Sequence, residues 1–551
     1  MQHVSFGNMF LLLKIRAKSS ISLILKVIKM GIQKSSLGSK LLCLTIATLC
    51  STANVNAERL WSRSSPNWTP KTVSMGLRGT QVFGPIDVGQ DHVALYSGFS
   101  PDPAPPVWQN NLPIEGMNME SASADTTDVH VVLSQLTVNN VNSNRQTVVK
   151  KYTSASSTPN WSYTFPGISA GLAKIDISND GSRIVAALVY PSEMRLTVAV
   201  FSPNSGTPVS TFNINLFGIH LNGFIVSADG STLYITSNSM VFIYNLANNS
   251  LIQQNVLPGM YSSHALCGNG RAFAYGEFNR VHLYERNNNG GYSQTWVGEY
   301  PGFIVTDRLV LSDDCSTLGI GLHEYSQDLT VKIKMIDVQS KNQLMQDECT
   351  GIGTFQNVVS DMSLSADGSR LAVALWGDGG NVCSELRVYN RDTDTPIYQH
   401  NYPGSVHALD MSPDGKRVVT AVKPVHANTF AGGGSFDLHA IELDELRIVG
   451  IPRPGATVSV RLRGLPANSP TQLLTSTSLL QEPVYMGNMG SLFLPRLSMN
   501  PIAFTDTNSI GQATGNFQIP AGSVGSNLFM QAIAMLPRRL TENFEQIKTL
   551  P

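Results

Sequence analysis

Apolar and polar positions follow one repeated order through most of the chain. A short alternating run ends in Ser-x-Asp-Gly and is followed by a run that is apolar at successive positions. The phrase reads ISNDGSRIVAAL at 177–188, VSADGSTLYIT at 226–236, LSADGSRLAVAL at 364–375 and MSPDGKRVVTAV at 411–422. Weaker copies stand at 123–125, 266–270 and 311–316. Asp-Gly supplies the positive-φ residue of a tight hairpin turn. A run that is apolar on both faces suits a strand packed between neighbouring sheets. A third strand follows a loop of variable length, as in LTVAVFS, MVFIYNL, RVHLYER, VKIKMID and ELRVYNR. A fourth, more polar strand often stops before Pro-Gly, as at 165–167, 257–259, 300–302 and 402–404.

Four antiparallel strands repeated every roughly 40–55 residues predict a radial array, a β-propeller. The phrases between Ser123 and Gly415 predict seven blades, with eight as the alternative. The stretch 81–111 resembles the later strands of a blade and is expected to close the last one, hiding its free edge. The resulting organisation is a targeting region at 1–57, a linker at 58–74, a propeller at 75–445 and a further β-domain at 446–551. In that last region TVSVRLRG at 457–464 alternates as a half-buried strand should. TQLLTSTS, GSLFLPRL and NLFMQAIAML add more strands, and about 100 residues of this kind predict a β-sandwich.

On these phrases the chain resembles the WD40/YVTN-like β-propeller superfamily, in its secreted bacterial form with S-x-D-G-S turns. The likeness covers about 70–443, and PNWSYTF at 159–165 resembles an outer-strand element of such propellers. No Gly-His pair opens the units and no Trp-Asp closes them, so the resemblance implies fold and not a docking role. With PRPG at 452–455, IP-x-G at 519–522 and LFMQA at 528–532, the region 446–551 resembles small C-terminal β-domains of secreted bacterial proteins; it reads as a structural cap or spacer, or as a carbohydrate or surface attachment module.

Composition narrows the setting. Charged residues are 14% of 551 and the formal net charge is −1, with no basic stripe, so nucleic acid is not an expected partner. Lys34 and Lys40 precede the apolar run LLCLTIATLC at 41–50, and STANVNA follows. This predicts a signal peptide starting at Met30 and cleaved after Ala57, hence a secreted or periplasmic chain. The run is too short for a membrane anchor. Export permits disulfides, and repeat positions predict the pairs Cys267–Cys315 and Cys349–Cys383.

The chain carries no nucleophile elbow, zincin motif, Walker loop or dinucleotide fingerprint. No metal or cofactor is expected, and the Asp-Gly repeats read as turns rather than calcium loops. Propellers bind ligands at one channel mouth, on the face carrying the second-to-third and fourth-to-first strand connections. Those loops offer Tyr190, Arg195, His323, Glu324, Tyr325, Trp376, Asp378 and His426 as candidate ligand contacts. Aromatics among a few polar groups suit a sugar or a peptide, although a loop aromatic commonly just packs over its neighbour. His92, His130, His282 and His439 lie in strand-like runs and read as structural. The functional expectation is a non-catalytic exported protein binding a surface ligand, a glycan or a protein. The alternative is a polysaccharide lyase or glycosidase with His323 or His426 beside a tyrosine or carboxylate.

Overall fold

A computed structural model describes residues 57–549, apart from short stretches, the longest being 427–432, 216–220 and 486–490. Residues 1–56 of the expected targeting region, and Tyr325, lie outside the described residues. The described part is all-β, with no α-helix among the described residues.

Eight antiparallel sheets follow in chain order. Sheet 1 holds Gln81–Asp87, His92–Ser97 and Pro106–Asn111, with Thr69–Pro70 and Ser74–Gly76 both paired to Gln81–Asp87. Sheets 2 to 7 each take four consecutive strands, beginning at Gly116–Ser123, Ala173–Ile177, Leu221–Val226, Tyr261–Leu266, Ile304–Leu311 and Val359–Leu364. Sheet 8 takes Val406–Met411, Arg417–Val422 and Gly434–Ala440, and its fourth strand is Glu58–Ser65. The stretch 81–111 therefore builds a sheet of its own. The closing strand comes from the supposed linker, with Ser62 opposite Asp437. Trp61 explains its fit: the ring is fully buried against Tyr96, with centroids 5.7 Å apart.

First strands lie beside one another along the series. The first strand of sheet 8 neighbours Ser74–Gly76, which neighbours the first strand of sheet 2. Hydrophobic clusters fill the spaces between sheets, such as Val198 and Leu233 between sheets 3 and 4. Alternating strand direction puts the first-to-second and third-to-fourth connections at one end of every sheet. This end is the turn face; the opposite end is the loop face.

The repeated phrase has a local cause. Ser178 Oγ donates to Asp180 Oδ1 at 2.7 Å, and that oxygen also accepts from Ser182 N at 2.8 Å. Arg183 N donates to Ser178 Oγ at 3.0 Å, and Gly181 takes φ 72°. The same set recurs at Ser365 and Asp367 and at Ser412 and Asp414. The turns are also chained to one another: Thr126 N to Asn179 O, Asn179 N to Ala228 O, Asp229 N to Gly268 O, Asp314 N to Ala366 O and Ala366 N to Pro413 O, all at 2.8–3.2 Å.

Both expected disulfides are present. Cys267 stands where the phrase has Ser and Cys315 where it has Gly, with φ 62°. Their bond joins the turns of sheets 5 and 6. Cys349–Cys383 joins sheets 6 and 7 at the loop face.

Beyond sheet 8, Leu446–Val449, Thr457–Leu462 and Ala513–Gln518 form a three-stranded sheet. A five-stranded sheet is built around Thr471–Ser476 and Asn527–Met535. The two share one core, with Val458, Val460 and Phe517 from one and Leu473, Met530 and Ala532 from the other. Phe99, from the turn face of sheet 1, joins that core. Two ion pairs tie this region to the sheets: Arg447 with Glu58 and Lys548 with Asp128, each at 2.7 Å. Asp128 is nearly buried and also accepts from Ser154 N and Oγ. Although burial opposes its charge, His130 and Lys548 hold the Asp128 carboxyl well below the usual range.

Candidate functional site

The loop-face candidates are drawn into local structure. Arg195 lies over the Tyr190 ring at 4.3 Å and pairs with Glu193 at 2.7 Å, while Tyr190 Oη donates to Pro166 O at 2.6 Å. Asp378 is fully buried and caps its own loop, accepting from Ile352 N, Gly380 N and Cys383 N at 2.8–3.1 Å. His323 is buried at the end of its strand, and half-buried Glu324 donates its N–H to Thr330 O.

Trp376 and His426 do meet across sheets 7 and 8. His426 Nδ1 lies 3.1 Å from Trp376 O, which also accepts from Ser405 Oγ. Sequence reasoning did not single out Glu385, which sits below them. Its Oε2 accepts from Tyr402 N at 2.7 Å, and its Oε1 has no hydrogen-bond partner. Burial pushes this carboxyl up, partly offset by the Tyr402 N–H and by His426. Glu385 is wholly buried, so nothing entering from the mouth touches it.

The strand histidines are held as expected of structural residues. His130 bonds Ser123 and Gln81, His282 bonds Glu277 and Gln294, and His439 bonds Tyr398 and Tyr402. Among the described residues no group of three His, Cys, Asp or Glu side chains is placed to hold a metal.

The reachable polar space lies elsewhere, between the first strands. A cavity of about 430 Å³ is bounded by Thr72, Glu120, Lys174, Asn222, Phe224, Ser263, His264, Arg308 and Asp361, drawn from sheets 2 to 7 and the segment before sheet 1. Strand alternation explains the lining: in Ala173–Ile177, Lys174 and Asp176 are partly exposed while Ala173, Ile175 and Ile177 are buried. Carboxylates here stitch neighbouring first strands. Asp176 accepts from Val226 N, Asp361 from Leu409 N and Asp410 from Met75 N, at 2.7–3.0 Å.

Towards the turn face the axis becomes acidic. Asp125, Asp176 and Asp410 lie here, each partly exposed. Burial first, and neighbouring carboxylates second in the case of Asp125, push that group up to about 8. Burial likewise raises Asp176 to about 7 and Asp410 to about 6, against the pull of the N–H groups they accept from. The sequence signal for this lining was alternate charge in Ala173–Ile177 and charges such as Glu120, Arg308 and Asp361 in other first strands. It reads equally well as an ordinary solvent-facing side.

No protein-family model and no curated protein sequence matches the chain.

Proposed function

We propose that 58–445 is an eight-bladed β-propeller of the WD40/YVTN-like kind with a β-sandwich at 446–551. In this reading the chain is an exported, non-catalytic binding protein that docks a protein partner on its loop face. The observation that carries the reading is where apolar surface is left uncovered. Among the described residues ten large hydrophobic side chains are exposed, and seven of them sit on the loop face. They include Ile168 at 51%, Met194 at 50%, Phe278 at 57% and Ile352 at 56%. Met194 and Phe278 also hold φ of 49° and 44°, conformations that bulky residues seldom adopt.

Exposed apolar groups gathered on one face mark an interaction surface. The rim is mainly aliphatic, whereas a sugar site would be expected to stack on aromatic faces, so a protein fits better than a glycan. The turn face is already used by the C-terminal region through Phe99 and Asp128. Export rests on the expected signal region, and the two disulfides are compatible with it. Among the described residues no helix is long and apolar enough to cross a membrane.

A photo-crosslinker placed at Met194 or Phe278 on the exported chain tests this, with Val209 on the turn face as control. The expected result is one discrete protein adduct from the loop positions, lost in Ile168→Asp, and none from Val209. Adducts from Val209 alone, or loop-dependent cleavage of a polysaccharide, would replace this reading with another.

A further inference from the structure

We propose that the axial cavity is a binding site for a small zwitterion carrying both an ammonium and a carboxylate, such as a dipeptide. It rests on the eight-sheet closure of the propeller reading but is separate from the loop rim and needs no docked partner. The cavity's volume of about 430 Å³ falls within the roughly 300–1,000 Å³ of small-molecule pockets.

Its charges are balanced and set apart. Lys174 pairs with Glu120 across sheets 2 and 3, and Arg308 Nε pairs with Asp361 Oδ1 at 3.4 Å across sheets 6 and 7. Sheets 2 and 6 stand four apart in a series of eight, as do sheets 3 and 7. The two pairs therefore face each other across the axis. All four side chains remain reachable, from 24% exposed for Glu120 to 46% for Arg308. Among the described lining residues, two cations and two anions favour neither a net anion nor a net cation. They suit a ligand that is neutral overall with separated charges. A guanidinium takes a carboxylate in a fork, and a carboxylate takes an ammonium.

The wall between the two pairs has unused hydrogen-bonding capacity. Ser263 is 97% buried, lines the cavity, and its Oγ has no hydrogen-bond partner. A buried hydroxyl of this kind is costly unless something fills its place. Next to it, His264 stacks on Tyr234 and makes no hydrogen bond among the described residues. Burial first, and then Lys174 and Arg308, push its imidazole down to about 3, so it is neutral at ordinary pH and adds a polar group without charge. Gly223 makes room for it, since a Cβ there would come within 2.5 Å of the His264 ring. Ile175, Phe224, Leu309 and Met362 supply apolar wall for the aliphatic parts of the ligand.

Calorimetric titration of the full chain with L-alanyl-L-alanine, with its N-acetylated, C-amidated form and with lactose tests the site. The free dipeptide is expected to bind, and the capped form at least about tenfold more weakly, since each end then loses a charge-assisted hydrogen bond. Arg308→Met and Lys174→Met should each weaken the free dipeptide by about tenfold and leave the circular dichroism spectrum unchanged. Ser263→Ala should weaken both peptide forms to the same smaller extent. The proposal fails if the free dipeptide does not bind, if capping changes nothing, or if lactose binds as tightly as the dipeptide in wild type and Arg308→Met alike. Because the loop-face crosslinks do not involve Arg308 or Lys174, failure here leaves that reading standing, and the reverse also holds.

Discussion

The turn face and the loop face are made from the same strands, yet they use the sequence differently. On the turn face each Ser-x-Asp-Gly corner is closed by its own hydroxyl and carboxylate and then bonded to the next corner. One corner-to-corner step is covalent, and the C-terminal region lies against that face through Phe99 and Lys548. On the loop face the connections vary in length, and large apolar side chains stay exposed. Polar groups that could face a ligand there are spent on holding their own loops, as Asp378 and Tyr190 illustrate. The difference separates a framework from a surface free to vary, the usual division between scaffold and binding loops.

The sharpest way to break this comparison is to cut the covalent step. Cys267→Ala with Cys315→Ala removes a cross-link closing 48 residues and should cost about 3 kcal/mol of stability. A denaturant midpoint measured beside that of a Cys349→Ala, Cys383→Ala control checks it. If the turn face is the framework, loss of its disulfide should also loosen sheets 5 and 6 at the turn end. Loss of the loop-face disulfide should instead stay local to the 376–385 loop.

A smaller effect comes from pH. Asp125, Asp176 and Asp410 titrate in the fold near 8, 7 and 6, against about 3.9 for an unfolded Asp. Groups raised in this way contribute stability that is complete below about pH 4 and lost as pH rises through the folded values. Melting temperature should therefore decline between pH 5 and pH 9. Asp125→Asn, which keeps the neutral form at every pH, should be more stable than wild type at pH 9, on the order of 2 kcal/mol. At pH 4 the two should melt alike. A wild-type curve that rises towards pH 9 would show that these carboxyls ionise without cost.

The smallest effect belongs to the loop face. Ile168→Asp and Phe278→Asp change side chains that are more than half exposed and should shift the denaturant midpoint by no more than about 0.5 kcal/mol. A larger loss would mean that the rim is part of the framework after all.

How much of this was legible in the sequence follows the range of the forces involved. The Ser-x-Asp-Gly corners are closed by groups within five residues of one another, so they print themselves as a phrase. The disulfides were readable because Cys267 and Cys315 interrupt that phrase at two of its fixed positions. Sheet 1 lacks the phrase, and its first-strand role is shared by Thr69–Pro70 and Ser74–Gly76. Its strands therefore resemble, in sequence, the end of another sheet. The true closing strand, Glu58–Ser65, pairs with Gly434–Ala440 far along the chain, and no local pattern announces such a partner. The axial cavity was missed for a related reason. Lys174, Arg308 and Asp361 look like solvent-facing residues of alternating strands, and only the closing of one sheet upon the next turns that solvent into an enclosed space.

Amide hydrogen exchange read by mass spectrometry tests the division between the faces most directly. The account predicts that the chained turn amides of Asn179, Asp229, Asp314 and Ala366 exchange only with global unfolding. Loop-face amides around Met194, Phe278 and Val382 should exchange orders of magnitude faster in the free protein. Equal protection of the two faces, or faster exchange at the Asp-Gly corners, would contradict it.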